Sequence, residues 1–489
     1  MAKSSSLKRN YVMNVILTGS SFIVPIITFR YVSRTLLPPA NGKVQLALSV
    51  VSYFTMLSQL GIPTYGIRVC AKLRDDREAL TRTAHELLRI SLIMSAVSYV
   101  LLFAAVLLVP KLQAEKVLYL LVGTQIIFNA VGMEWLFKAM EQYTYITVRS
   151  LVFQVIAIAA MFLLVKSPRD YVLYGGISVL GAALSGIFNF INARRFIDGK
   201  PAGTLSLRKH LRPVAIFFAM ASATIIYTQL DSVMLGFMKT DADVAYYHAA
   251  VKVKSILVSV ITSLGAVLLP RVSYYFEKGM TGEFRRLTGK AVNYVFLTAV
   301  PLTVYFMMFA GDGILFLSGP AYESAVLPMQ IIMPTLLFIG LSNVTGIQIL
   351  VPTGREKIVL YSEIAGALTD LVLNALLIPK LASAGAAIGT LAAEAVVLAV
   401  QMSVLKDEVG AAFRAVSPGK IMAGLAAGCA ASFWVRFTGI TGFWALLVSA
   451  ACFFAAYGAV LLLMKEELAT EIVFGTVAEK LRKITGKNH

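Results

Sequence analysis

"AYYHAAVKVKSILVSVITSL", residues 245–264, decides how the whole chain is read. It has the length and apolarity of a membrane-spanning helix, yet Lys252 and Lys254 sit about a third of the way along it. A cation at the centre of a bilayer helix costs roughly 2.5–3.5 kcal/mol on insertion scales. Two of them in one span demand a reason.

The rest of the chain is of the same kind. It is 58% hydrophobic and only 14% charged, and apolar runs of about 20 residues recur from end to end. At 1.5 Å per residue each run covers roughly 30 Å of hydrocarbon. The expected fold is an all-α polytopic membrane protein of about fourteen spans. They fall near 11–30, 43–64, 87–109, 115–137, 146–165, 171–193, 213–237, 245–270, 291–310, 326–351, 358–378, 384–405, 421–436 and 441–464. The first run is full length and is followed by "LPPANGK" rather than a small-residue cleavage site, so it reads as an uncleaved anchor.

Charge sets the orientation. The net charge of +18 would suit nucleic acid in a soluble protein, but here it follows the positive-inside rule. With the N-terminus inside, cytoplasmic segments hold 31 of the 44 lysines and arginines and the outer loops hold 8. Both termini are therefore expected in the cytoplasm. The longest outer loop, "GDGILFLSGPAYESA" (311–325), has no basic residue. Cys70, Cys429 and Cys452 imply no disulfide framework, and the four histidines lack metal-ligand spacing.

The chain also repeats itself at an offset near 204. "MLSQLGIPTYGIR" (56–68) and "VITSLGAVLLPR" (260–271) each carry Leu-Gly shortly before an arginine. A charged amphipathic stretch and another span follow each of them. This predicts two pseudo-symmetric six-helix halves, 1–200 and 201–410, then two extra helices and a basic tail in 411–489. Parallel repeats related by an axis along the membrane normal are a transporter design.

Ionisable residues at membrane depth are the candidate functional groups. Asp231, in "YTQLDSVMLGFM", lies about six residues before the outer end of its span. Counting Lys252 as seven residues into the next span puts the two at similar depth, roughly 9–10 Å below the outer surface. His248 precedes Lys252 by one turn, and Arg30 holds a position in the first half near that of Asp231. An Asp231–Lys252 pair that neutralises itself, lysines that snorkel outward, and a cationic patch meeting an anionic substrate are all consistent with this spacing. Glu363, Asp370 and Asn374 form a polar stripe on the eleventh span, and Glu394 and Gln401 lie on the twelfth. They read as proton or sodium sites, or as polar glue between helices. Glu134 and Trp135 read as a cytoplasmic interface anchor. Asp241 and Asp243, in "TDADV", read as a solvated turn rather than a metal site.

Four stretches together carry a family resemblance: "YGIRVCAKLRDDRE", "EWLFKAMEQYTYIT", "AAVKVKSILVSVITSLGAVLLPRVSYY" and "GPAYESAVLPMQIIMPTLLFIGLSNVTGIQILVPTGREK". The chain resembles, over about residues 5–465, Wzx-type oligosaccharide flippases. These form the polysaccharide transporter branch of the multidrug/oligosaccharidyl-lipid/polysaccharide exporter superfamily. The resemblance implies a non-enzymatic carrier in the bacterial cytoplasmic membrane. It would move undecaprenyl-pyrophosphate-linked sugar repeat units from the inner to the outer leaflet by alternating access, coupled to H+ or Na+ and without another cofactor. Lys252 and Lys254, with Arg30 by location, would hold the pyrophosphate. Asp231, Glu363, Asp370 and Glu394 would tune or couple transport. Implied partners are the lipid-linked oligosaccharide, membrane lipids and the polysaccharide assembly machinery, not nucleic acid. The alternatives are a multidrug or cation antiporter or a lipid II flippase of the same superfamily, and a membrane-embedded glycosyltransferase.

Overall fold

A computed structural model describes residues 7–201, 203–405, 410 and 412–471, with side chains from residue 26 onward except 220, 264, 266 and 267. The expected tail segments 1–6 and 472–489, and positions 406–409 and 411 around the last expected domain boundary, lie outside the described residues. Among the described residues the regular structure is helical throughout. Ten helices among the described residues are long and apolar enough to cross a membrane, or eleven if the bent pair Pro320–Ile332 and Thr335–Leu350 is one span. The difference from fourteen has physical causes. Two of the rods are each broken by one residue, Leu37 and Ala382, and Pro418–Phe433 has only 16 residues.

The chain divides into two compact units, Met1–Tyr246 and Tyr247–His489. The first contains α1 (Leu7–Gln59), α2 (Ile62–Lys72), α3 (Arg77–Leu108), α4 (Pro110–Ala114), α5 (Lys116–Gly132), α6 (Glu134–Ala139), α7 (Tyr143–Leu164), α8 (Tyr171–Asn192) and α9 (Arg208–Met238). Because α9 packs on α1 and α2, the contact division falls after Tyr246 rather than near residue 200, where the repeat boundary was read.

The stretch "LPPANGK" is helical rather than a loop. Leu37 (φ 61°, ψ 166°) breaks the rod. A residue before proline is driven out of the helical region, and prolines are tolerated in a helix's first turn, so Pro38 and Pro39 restart it at once. Five residues on, Gly42 permits a close approach: a Cβ there would lie 1.6 Å from the carbonyl oxygen of Asp241. At the other end of α1, Leu60 (φ 45°) and Gly61 (φ 70°) turn the chain into α2. The matching Leu-Gly of the second repeat, at 264–265, runs inside one unbroken helix, Asp241–Glu277. Ile62, Leu80, Leu87, Trp135, Leu136 and Phe137 form a core where α2, α3 and α6 meet. Trp135, 5% exposed, is thus a core residue and not the interface anchor expected from its neighbours.

The second unit holds most of α10 (Asp241–Glu277), followed by α11 (Thr281–Met308), α12 (Ala310–Ser318), α13 (Val326–Ile332) and α14 (Thr335–Ser342). A π-helical segment, Asn343–Leu350, continues α14. Then come α15 (Glu356–Val404), folded in two at Ala382 (φ 50°, ψ −127°), α16 (Pro418–Phe433) and α17 (Phe443–Leu463). The last two pair with each other and dock on α11 through an aromatic core of Tyr305, Phe309, Phe453 and Tyr457. Both tyrosine hydroxyls are satisfied at the seam: Tyr305 donates to the Leu446 carbonyl at 2.9 Å and Tyr457 to the Leu297 carbonyl at 3.1 Å.

Candidate functional site

The lysines of the opening stretch lie farther along their helix than their spacing suggested. Residues 240–243 are the start of α10: the Asp243 carboxylate accepts from the Thr240 hydroxyl at 2.7 Å and from its amide at 3.2 Å. Asp241 is an ion-pair partner of Lys111 at 3.2 Å, rather than part of a solvated turn. With α10 starting at Asp241, Lys252 is eleven residues along it, about 16 Å of helix axis, instead of seven. Lys252 and Lys254 are both half-buried, with Val253 buried between them. Within the second unit neither makes an ion pair among the described residues. Tyr247, one turn before Val251, donates to or accepts from the Thr390 hydroxyl at 2.8 Å and ties α10 to the second arm of α15.

The acidic residues of the eleventh and twelfth spans do come together, because the break at Ala382 folds the two arms of α15 into a hairpin. Asp370 and Asn374 are buried, at 1% and 0% exposure, and face Gly389 on the opposite arm. A Cβ at Gly389 would lie 2.3 Å from Asn374 Oδ1 and 2.9 Å from Asp370 Oδ1. Thr390 and the buried Glu394 follow on the next turn, and Glu363 is half-buried within electrostatic range of Glu394. Farther along, Thr345 of the π segment donates to Gln401 Oε1 at 2.6 Å, and Gln401 Nε2 donates to Ser362 Oγ at 3.0 Å. A π turn re-aims side chains that a regular helix would carry past one another. Thr345 and Ser362 were not legible as site neighbours, since nothing in their local sequence separates them from ordinary span residues.

In the first unit Asp231 is 4% exposed, seven residues before the end of α9. Arg30 is half-buried, seven residues before the break in α1, with Arg34 one turn on. Two clusters here were invisible to sequence reasoning. Glu86, fully buried, accepts from Lys209 Nζ at 2.8 Å and from the Ser206 amide at 2.7 Å, and meets His210 Nε2 at 2.8 Å; His210 Nδ1 lies 2.9 Å from Tyr65 Oη. Arg149, assigned by spacing to a cytoplasmic loop, is buried on α7 against Glu134 and Asn189. Among the described residues no group of three or more histidine, cysteine, aspartate or glutamate side chains has the geometry to hold a metal ion.

Comparison with known proteins now bears on this geometry. The family model of polysaccharide biosynthesis proteins matches residues 7–276. A protein of Escherichia coli (strain K12), provisionally named an O-antigen transporter, is 25% identical over 411 residues, 82% of this chain and 97% of that protein. Among solved structures, that of the lipid II flippase MurJ in an inward closed conformation matches with a TM-score of 0.74 at 14% identity, covering 96% of this chain and all of that one. An inward-facing multidrug resistance MATE family transporter of the MOP superfamily matches with a TM-score of 0.63 at 13% identity, covering 82% and 99%. At such identities the structural likeness concerns the fold alone. The chain is a multi-pass membrane protein and belongs to the polysaccharide biosynthesis protein family.

Proposed function

We propose that this protein is a carrier that moves a polyprenyl-pyrophosphate-linked oligosaccharide from the inner to the outer leaflet of the bacterial cytoplasmic membrane by alternating access, with both termini in the cytoplasm. The observation that carries the reading is the pair of half-buried lysines about 16 Å along α10, which meet no carboxylate within their own unit among the described residues. Transporter sites lie near the bilayer midplane. A pyrophosphate brought to that depth needs compensating cations, and lysine ammonium groups donate to phosphate without the rigid fork of arginine. Family membership and the relation to the provisionally named O-antigen transporter support this class of cargo.

The α15 hairpin supplies the coupling half of the proposal. Asp370, Glu394 and Glu363 are acidic groups on the two arms of α15, whose second arm is tied to α10 through Tyr247 and Thr390. Proton or sodium binding there would favour one conformation over the other, which is how a gradient drives a carrier. An antiporter for cationic drugs fits less well, because a cationic cargo would be repelled by the two lysines.

The test is reconstitution in liposomes. Protein-dependent movement of an undecaprenyl-pyrophosphate-linked oligosaccharide, accelerated by an imposed proton or sodium gradient, is the expected result. Export of cationic dyes with no movement of the glycolipid would replace the proposal with the drug-antiporter reading.

A further inference from the structure

We propose that the first unit carries a second lipid site: a cavity between α5, α7 and α8 that holds the phosphate of a membrane phospholipid against Arg149. The cavity has a volume of about 280 Å³ and is lined on its polar side by Asn129, Glu134, Arg149, Ser150, Gln154 and Asn189. That is just below the roughly 300–1,000 Å³ typical of small-molecule sites. It has room for a phosphodiester headgroup and not for a sugar repeat unit, so the site is separate from the proposed cargo site.

Arg149 is 6% exposed and six residues into α7, about 9 Å along its axis. Its two terminal nitrogens are used: Nη1 donates to Asn189 Oδ1, and Nη2 donates to Glu134 Oε2 at 3.2 Å and Ser150 Oγ at 3.3 Å. The third donor nitrogen, Nε, is buried without an acceptor among the described residues. A buried donor left unmade carries a penalty of about 1–3 kcal/mol, more on a charged group, so an acceptor in the cavity is strongly favoured.

The charge balance favours an anion. Glu134 is shared between Arg149 and Lys138, the latter at 2.9 Å, so the three groups together keep one net positive charge. Guanidinium is the side chain best matched to phosphate oxygens, and basic pockets between membrane helices on the cytoplasmic side suit anionic headgroups. Beside the cavity positions the same three helices expose apolar residues, Ile127, Val148, Val152, Ile187 and Phe188. These would lie along acyl chains, which argues for a phosphate on a lipid rather than free in solution.

The experiment uses the full chain purified in detergent and native mass spectrometry with dioctanoyl phosphatidylglycerol as the probe. Dioctanoylglycerol and inorganic phosphate serve as competitors. Two variants remove the site in different ways: Arg149→Gln deletes the cation, and Gly181→Leu fills the cavity. A Cβ at Gly181 would meet nothing within 4 Å, so the second variant should fold normally. We expect saturable binding of one phosphatidylglycerol that weakens at least tenfold in both variants and is not displaced by dioctanoylglycerol. Wild-type affinity in a folded Gly181→Leu protein would overturn the proposal. So would equal competition by dioctanoylglycerol, which would remove the phosphate from it, or by inorganic phosphate, which would remove the lipid.

Discussion

Replacing Glu86 tests whether the first unit is held together by a buried carboxylate. The side chain is fully buried and joins α3 to the stretch 206–210 at the start of α9 and, through His210, to Tyr65 of α2. The arrangement is satisfied with the His210 proton on Nε2, donated to Glu86, while Nδ1 accepts from Tyr65. Glu86→Ala strands the Ser206 amide and the buried His210 ring, each worth about 1–3 kcal/mol when left without a partner. Lys209 is 49% exposed and turns to water, so its loss adds little. The expected destabilisation is about 2–5 kcal/mol. Glu86→Gln keeps an acceptor for the amide, and its NH2 in place of Oε2 is satisfied only if the His210 ring moves its proton to Nδ1 and donates to Tyr65, so it should cost less than alanine, about 1–2 kcal/mol. Unfolding in mixed micelles of increasing SDS would measure both, read by the fluorescence of Trp135, which is buried in the adjoining core. An alanine variant within 1 kcal/mol of wild type would refute the reasoning, as would a glutamine variant equally damaged.

Other perturbations reach different parts of the molecule. Gly389→Val forces a side chain against Asn374 and Asp370 and should lower stability by about 1–3 kcal/mol in the same unfolding assay, while Gly311→Ala, which meets open space, should be neutral or slightly stabilising. The Lys111–Asp241 pair is partly exposed, at 32% and 23%, so a double-mutant cycle between Lys111→Met and Asp241→Asn should give a coupling of about 1 kcal/mol or less. Hydrogen bonds from Arg77 hold the Asp198 carboxyl below the usual aspartate range. Its contribution is present above the ordinary pKa near 4 and is lost as pH falls through the lower folded value. The stability difference between wild type and Arg77→Ala should therefore be small at pH 7, shrink with added salt, and vanish in acid.

Much of this architecture was legible because membrane burial leaves a strong mark. Apolar runs located the helices. What escaped was set by single residues and by partners far apart. Leu37 and Ala382 break helices where the flanking sequence stays helical, so expected loops vanish into bent rods. The start of α10 at Asp241 moved Lys252 by more than one turn. Asp370, Asn374 and Glu394 were found from their spacing, since a hairpin of adjacent spans brings sequence neighbours together. Glu86 and His210, 124 positions apart, carry no local sign of each other. Arg149 looked like a loop charge because its buried partner Asn189 is 40 residues away.

The central claim is that the α10 lysines exist to meet an anionic cargo. The most direct measurement is the initial rate of transbilayer movement of an undecaprenyl-pyrophosphate-linked oligosaccharide in liposomes. Wild type would be compared with Lys252→Gln/Lys254→Gln and Lys252→Arg/Lys254→Arg proteins of matched folding. A hydrogen bond to a charged group contributes about 1.5–3 kcal/mol, so removing the charges should slow movement by roughly tenfold or more, while arginines should retain most of it. Glutamine variants that move the lipid at the wild-type rate would contradict the account.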